Sequence, residues 1–217
     1  MKPKHIGFIM DGNGRWATAH GMSRAEGYAY GLVALHRVLK RLGECGVDAV
    51  SVYAFSTENW QRPENEVQAI SDVVKKFNLT YDGDMRITYM GDIAALDDKL
   101  ADSIEQIEEN TRENKGIALN IAFNYGGRAD IIHAAKICYD HGEFVEDTFE
   151  KHLSSANLPP LDIVVRTGGE MRLSNFMLYE SAYAELMFLE KLWPDMEESD
   201  VDFILEEFEK RQRKFGK

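Results

Sequence analysis

The chain has 217 residues, 44% of them hydrophobic, and a formal net charge of −12. That length and apolar share give one domain, residues 1–217, with a real core, and the acidic balance argues against nucleic acid as the main partner. No apolar run approaches the roughly 18 residues of a spanning helix and no signal-peptide core opens the chain; Cys45 and Cys138 stand apart without metal spacing, so a cytoplasmic protein with reduced, buried thiols is expected.

In chain order, Ile6 to Met10 reads as a buried strand that stops at an acid, Asp11. Arg24 to Gly43 carries Leu32, Leu35, Val38, Leu39 and Leu42 at helical spacing, with Gly43 and Gly46 marking its end. Val47 to Phe55 is a second strand, and Pro63 opens a helix over Glu64 to Leu79 through Val67, Ile70, Val73, Val74 and Phe77. Met85 to Met90 is a third strand, Asp92 to Glu113 a helix, Ile117 to Phe123 a fourth strand and Ile131 to Tyr139 a helix. Leu161 to Val165 and Leu186 to Leu189 complete six strands, and a helix closes the chain over Ser199 to Lys214. Strands alternating with helices predict an α/β domain around a central, mostly parallel sheet flanked by helices. In such sheets ligands collect at the carboxyl ends of the strands, so the segments after those ends are the ones that matter. The acidic runs, Asp97 to Glu113, Glu143 to Glu150 and Asp195 to Glu209, read as solvated helix faces. Arginines instead sit beside glycines and strand ends, at Arg15, Arg24, Arg62, Arg166 and Arg172, as in a protein that collects a small anion.

After the first strand, Gly12-Asn13-Gly14-Arg15-Trp16-Ala17 formally fits a dinucleotide fingerprint. Two details oppose it. Asp11 would face the pyrophosphate unneutralised, and the first acid after the second strand, Glu58, lies 46 residues beyond Gly12, where a ribose ligand is expected after about 20. A metal resolves the conflict: Asp11 could hold Mg²⁺, commonly bound by one or two carboxylates plus substrate phosphates, while the Gly12 to Arg15 amides and the Arg15 guanidinium hold a diphosphate. The segment alone reads equally well as an Asp11 cap on the next helix with a glycine turn. Arg166-Thr-Gly-Gly-Glu, then Arg172 and Ser174, can converge on a phosphate or make a surface turn. Ser56-Thr-Glu-Asn59-Trp60-Gln-Arg62-Pro63 offers polar groups, an aromatic and another arginine.

Five stretches, HIGFIMDGNGRWA, YAFSTENWQRP, LNIAFNYGGR, DIVVRTGGEMRLSNF and YAELMFLEKLWPD, span nearly the whole chain. In this order they resemble the cis-prenyltransferases, the family typified by undecaprenyl diphosphate synthase. The resemblance implies that fold, with an apolar tunnel under the sheet. It implies Mg²⁺-dependent condensation of isopentenyl diphosphate with an allylic diphosphate such as farnesyl diphosphate, each new double bond being cis, to supply polyprenyl carrier lipid for cell-wall synthesis. The aspartate-rich D-D-x-x-D motif of trans-prenyl enzymes is absent, since Ala101 follows Asp97-Asp98 at the third position. Carried over residue by residue, Asp11 is the essential acid and metal ligand, and Glu185 the second ligand. Gly12, Asn13, Gly14 and Arg15 cradle the allylic diphosphate beside Trp16 and Arg24. Tyr28, Ser56, Thr57, Glu58, Trp60 and Arg62 line the substrate site. Asn59 matches the position assigned to proton abstraction, though a neutral amide is a poor base and a diphosphate oxygen or a water suits the proton better. Arg166, Arg172, Leu173 and Ser174 take isopentenyl diphosphate. A homodimer is implied, because the family's C-terminal arginine segment, here Arg211 to Gly216, reaches the neighbouring subunit's diphosphate site, and peripheral membrane association would serve product release.

Three positions depart from the family. Tyr28 and Met171 stand where it has histidines, and Lys214 replaces an arginine in its R-R-F-G segment. Met is a poor Mg²⁺ ligand, so any metal contact at 171 is lost. Two alternatives remain within the family: a short-chain synthase, and a non-catalytic diphosphate-binding subunit, which the retention of Asp11, Asn59, Arg166, Arg172 and Glu185 disfavours. The helix after Pro63 is shorter than the family pattern by roughly five residues, on the order of 7 Å of tunnel wall, and Phe77 or Tyr81 would cap it, so a product shorter than the eleven-unit carrier is expected.

Overall fold

A computed structural model describes residues 2–81 and 83–211; of the expected Arg211 to Gly216 dimer contact, all but Arg211 lies outside them. Six strands form one sheet in the order β3-β4-β2-β1-β5-β6. They are β1 (His5–Ile9), β2 (Ala49–Ser56), β3 (Arg86–Met90), β4 (Ala118–Tyr125), β5 (Ile163–Arg166) and β6 (Glu185–Phe188). Every pairing is parallel, so the expected mostly parallel sheet is wholly so. All five β1 residues are buried, as a strand covered on both faces requires.

The helices are α1 (Asn13–Ala19), α2 (Arg24–Glu44), α3 (Glu64–Thr80), α4 (Asp98–Thr111), α5 (Gly127–His141), α6 (Glu146–Glu150) and α7 (Glu198–Lys210). Ala34, Leu35, Val38 and Leu42 of α2 and Val201, Ile204 and Phe208 of α7 pack with Ile6, Phe8, Val50 and Val52 of the central strands. Ile9 turns to the other face, against Phe176 and Met177. Phe55 and Phe123 reach a third cluster with Ile70 and Val74 of α3 and Leu100 and Ile104 of α4. A reciprocal capping box starts α2, Glu26 N donating to Ser23 Oγ and Ser23 N to Glu26 Oε2. The single helix expected over Asp92 to Glu113 is broken, because Asp97 accepts from Leu100 N and so caps a new helix start after a short turn at Ile93–Ala95. Cys138 is buried as expected, whereas Cys45 is only half-buried.

Helix α1 was not expected as an element. Its first turn crosses α2 at two glycines. A Cβ on Gly27 would lie 2.5 Å from the Asn13 carbonyl oxygen and 2.9 Å from Ala17 Cβ, and one on Gly31 would lie 3.2 Å from both Asn13 Cγ and Trp193 Cδ1. Gly27→Ala must therefore push α1 and Asn13 outward. A stability loss of about 1–3 kcal/mol is expected, read as a melting temperature lower by roughly 2–10 °C; an unchanged melting temperature would show that the crossing is not tight.

Candidate active site

The chain passes from β1 to β2 on one side, while β5 pairs with β1 on the other, making the carboxyl end of β1 a switch point, where open parallel sheets bind ligands. Ile9 lies in register with both Tyr53 and Arg166. Asp11 follows two residues later, its N–H donating to Ile9 O, and Gly12 then takes φ 114°, a backbone that a side chain would strain. A Cβ at Gly12 would also meet Leu192 Cδ2 at 2.8 Å. Gly12 supplies the start of α1 and no side chain caps it, so the reading of Asp11 as a helix cap is excluded. The Asp11 carbonyl is held by Thr167 Oγ1 at 2.7 Å and Trp193 N at 3.1 Å.

The Asp11 side chain faces two arginines. Arg166 Nη2 donates to Oδ2 at 2.8 Å and Arg15 Nη2 to Oδ1 at 3.2 Å. Partial burial works to raise its pKa, but the hydrogen bonds and charges of Arg166 and then Arg15 prevail and hold the carboxyl below its ordinary value. Arg166, only 5% exposed in its side chain, also donates to Arg172 O and to Ser174 Oγ, both at 2.7 Å. Its Nε is buried and has no hydrogen-bond partner among the described residues. Arg15 reaches on to Gly168 O at 2.8 Å, where a Cβ would lie 2.4 Å from its Nη2 and φ is +84°. The two glycine loops are thus tied by one arginine. Ser174 and Asn175 have φ of 48° and 68°, a strained backbone of the kind that clusters at ligand sites.

Across the mouth, Arg24 and Arg62 meet at Glu66, at 2.7 and 2.6 Å. Tyr28 Oη donates to Glu66 Oε1 at 2.8 Å. Burial and then the neighbouring Glu66 push the Tyr28 phenol up to about 12, so it stays neutral. Asn59 Oδ1 accepts from Ser56 N at 3.1 Å and closes the turn after β2.

Asp11, Gly12, Asn13, Gly14, Arg15, Arg24, Tyr28, Ser56, Asn59, Arg62, Arg166, Arg172 and Ser174 all border one cavity of about 530 Å³. Its mouth is cationic. Its depth is apolar, walled by Leu32, Leu35, Val52, Phe55, Ile70, Val74, Phe77 and Ile121.

Six expected residues do not border it. Trp16 is buried, its Nε1 donating to Asp195 Oδ1 at 2.6 Å and its ring stacked on His20, so it braces α1. Trp60 donates to Asn124 Oδ1 at 2.7 Å and abuts Phe55 edge-on. Glu58 accepts from Asn175 Nδ2 at 2.9 Å and from Thr57 Oγ1 at 3.2 Å, joining the β2 turn to the arginine loop. Leu173 packs into the cluster of Ile9 and Phe176. Glu185 is opposite Ile163, which is opposite Ile6. It therefore lies at the amino end of the sheet, two strands over and about five residues down from Asp11, where Arg211 Nη1 donates to it at 3.0 Å. Within one chain the expected second metal ligand does not reach the first. Met171 is 77% exposed and touches neither Asp11 nor Arg166 in any described hydrogen bond. Sequence reasoning missed Thr167, Trp193 and Glu66; only Glu66 left a signal, one helical turn after Arg62.

Among the described residues no three His, Cys, Asp or Glu side chains cluster to cage a metal. The donor set is one ionised, partly exposed carboxylate beside arginines. That suits a hard cation that keeps its waters and takes its remaining ligands from substrate phosphates.

Residues 9–216 match the undecaprenyl diphosphate synthase family model. An isoprenyl transferase of Neisseria gonorrhoeae is 42% identical over 222 residues, covering 99% of this chain and 90% of that one. The ditrans,polycis-undecaprenyl-diphosphate synthase ((2E,6E)-farnesyl-diphosphate specific) of Shewanella oneidensis is 38% identical, covering 99% and 82%. Lavandulyl diphosphate synthase from Lavandula x intermedia, solved with dimethylallyl diphosphate, superposes with a TM-score of 0.92 at 31% identity, covering 100% and 99% of the two chains. With a cationic mouth over an apolar depth at the switch point of an all-parallel sheet, the chain belongs to the undecaprenyl diphosphate synthase family and is an isoprenyl transferase.

Proposed function

We propose that the cavity condenses isopentenyl diphosphate with an allylic diphosphate in the presence of Mg²⁺. The observation that carries this is the division of one cavity into a five-arginine mouth around Asp11 and an apolar depth, the shape of a molecule with a diphosphate head and a prenyl tail. Arg15, Arg24 and Arg62 with the Gly12 to Gly14 turn bind the allylic head. Arg166, Arg172 and Ser174 bind the isopentenyl head. Asp11 would hold Mg²⁺, and a cation there would supply electrostatic relief to a departing allylic diphosphate. Substrate heads would take over the Arg15 and Arg166 donors that Asp11 now accepts, leaving its carboxylate free to hold the ion. Asn59 is held as a turn residue, so it orients the reacting end while a diphosphate oxygen accepts the proton.

The active form is a homodimer. Large apolar side chains are exposed at Ile132, Tyr139, Phe144 and Val145 and again at Tyr183 and Leu186, and Tyr179 links the two groups through Glu146 and Glu150. No helix among the described residues is long and apolar enough to cross a membrane, in keeping with peripheral release of product. Incubation with labelled isopentenyl diphosphate, Mg²⁺ and allylic primers of graded length is expected to give elongated cis products, and light scattering a dimer. No incorporation with any primer would remove the reading, and a monomer that turns over would remove its dimeric part.

A further inference from the structure

The mouth of the cavity holds a charge arrangement that the chemistry above does not explain. Glu66 is 6% exposed, yet it sits among substrate-binding cations. An anion next to a diphosphate site repels the ligand, and a buried carboxylate costs free energy unless fully partnered. Here it is fully partnered. Oε2 takes Arg24 Nη1, and Oε1 takes both Arg62 Nη1 and Tyr28 Oη. Arg62 Nη1 also donates to Tyr28 Oη at 3.0 Å, so carboxylate, phenol and guanidinium close a ring. Three elements meet at this point: Arg24 and Tyr28 come from α2, Glu66 from α3, and Arg62 from the residue pair before it.

Each guanidinium keeps most of its five donors, and the Arg24 and Arg62 side chains are 61% and 38% exposed. Arg24 lies over the glycine turn, its Nε 3.4 Å from the place a Cβ on Gly14 would take. Two arginines with a shared counter-ion leave a surplus of one positive charge, fixed in place.

We propose that Glu66 and Tyr28 are positioning residues, which hold Arg24 and Arg62 as a preorganised fork for the allylic diphosphate. This rests on the reading of the mouth as a diphosphate site. Tyr28 serves as a donor that stays neutral, in the position where the family carries histidine. Its role is to keep Arg62 and Glu66 in register, since long arginine side chains lose considerable rotamer freedom when a ligand has to order them.

The sign of a charge change tests the idea. Glu66→Gln removes one negative charge with little change of shape. Were Arg24 and Arg62 acting only as loose cations, inorganic pyrophosphate would bind more tightly to this variant. Positioning requires the reverse, a loss of about tenfold from charged hydrogen bonds no longer made. Tyr28→Phe changes no charge and is expected to weaken pyrophosphate by roughly threefold to tenfold. Calorimetric titration of the full chain reads both. In steady state the two variants are expected to raise KM for the allylic substrate with little change in kcat or in KM for isopentenyl diphosphate, a split that general loosening of the fold would not give. Unchanged or tighter pyrophosphate binding by both variants overturns the proposal while leaving the diphosphate reading in place. Absence of pyrophosphate binding by the unaltered protein overturns both.

Discussion

Asp11→Ala is expected to abolish measurable turnover while the protein remains folded. Among the described residues Asp11 is the one acid that borders the cavity, Glu170 pairing with Arg172 outside that lining, and no other described acid joins it in a group that could cage a metal. Lewis-acid relief of a leaving diphosphate is worth several kcal/mol, which at about 1.4 kcal/mol per factor of ten is a loss on the order of 10³-fold in kcat. Arg166 would lose one of its three partners, but Arg172 O and Ser174 Oγ remain. Asp11→Asn keeps a neutral acceptor for Arg166 and is expected to be more stable than the alanine variant and equally inactive. Near-normal turnover of either variant at saturating Mg²⁺ would sink the assignment.

The same ion pairs set a pH dependence. The Asp11 carboxyl is held below its unfolded value, so the folded state binds fewer protons at this site than the unfolded chain. Its contribution to stability is present above the ordinary carboxylate range near pH 4 and is lost as pH falls through the lower folded value. Asp11→Asn is therefore expected to flatten the acid limb of the stability profile; an unchanged limb would show that the pairs contribute nothing to it.

How much of this was legible in the sequence depends on whether a residue's role is local. Strands such as Ile6 to Met10 and Leu161 to Val165 were readable because burial on both faces writes an uninterrupted apolar run, and the sheet ends located Asp11 and Arg166 correctly. Helix α1 was not readable: its seven residues include glycine and no clear periodicity, and it is held by α2 packing at Gly27 and Gly31. Tryptophans 16 and 60 looked like ligand residues from their motifs, but their indole N–H groups are consumed by Asp195 and Asn124, 179 and 64 residues away in sequence. Glu185 lies apart from Asp11 within one chain, at the amino end of the sheet. In a parallel sheet the first residue of each strand lies at the amino end, and Glu185 opens β6, so its place just before the expected strand Leu186 to Leu189 already set it away from Asp11. The charge balance at Glu66 needed three elements in space before its meaning appeared.

The second large effect concerns product length. Helix α3 ends at Thr80, one residue beyond the expected Leu79. Phe77 is 6% exposed and stands at its last turn between His36 and Tyr81, with ring centroids 5.7 and 5.5 Å away. Beyond it lies a second, largely apolar cavity of about 820 Å³ between α2, α3 and the starts of β3 and β4. Leu32, Val73 and Phe77 border both cavities. A growing chain that fills the first cavity meets this partition, and the product of the unaltered enzyme is expected to be shorter than the eleven-unit carrier. Phe77→Ala joins the two spaces and is expected to lengthen the dominant product by several isoprene units, at a stability cost of about 3–5 kcal/mol for an emptied aromatic site. Val73→Phe fills the partition instead and is expected to shorten the product, which separates a change of tunnel length from general damage, since damage would not move products in opposite directions. Chromatography of the dephosphorylated products against polyprenol standards reads all three proteins. A dominant eleven-unit product from the unaltered enzyme would mean that the chain already passes Phe77 into the second cavity and that the partition is open during elongation. The same product from all three proteins would place the determinant of length elsewhere.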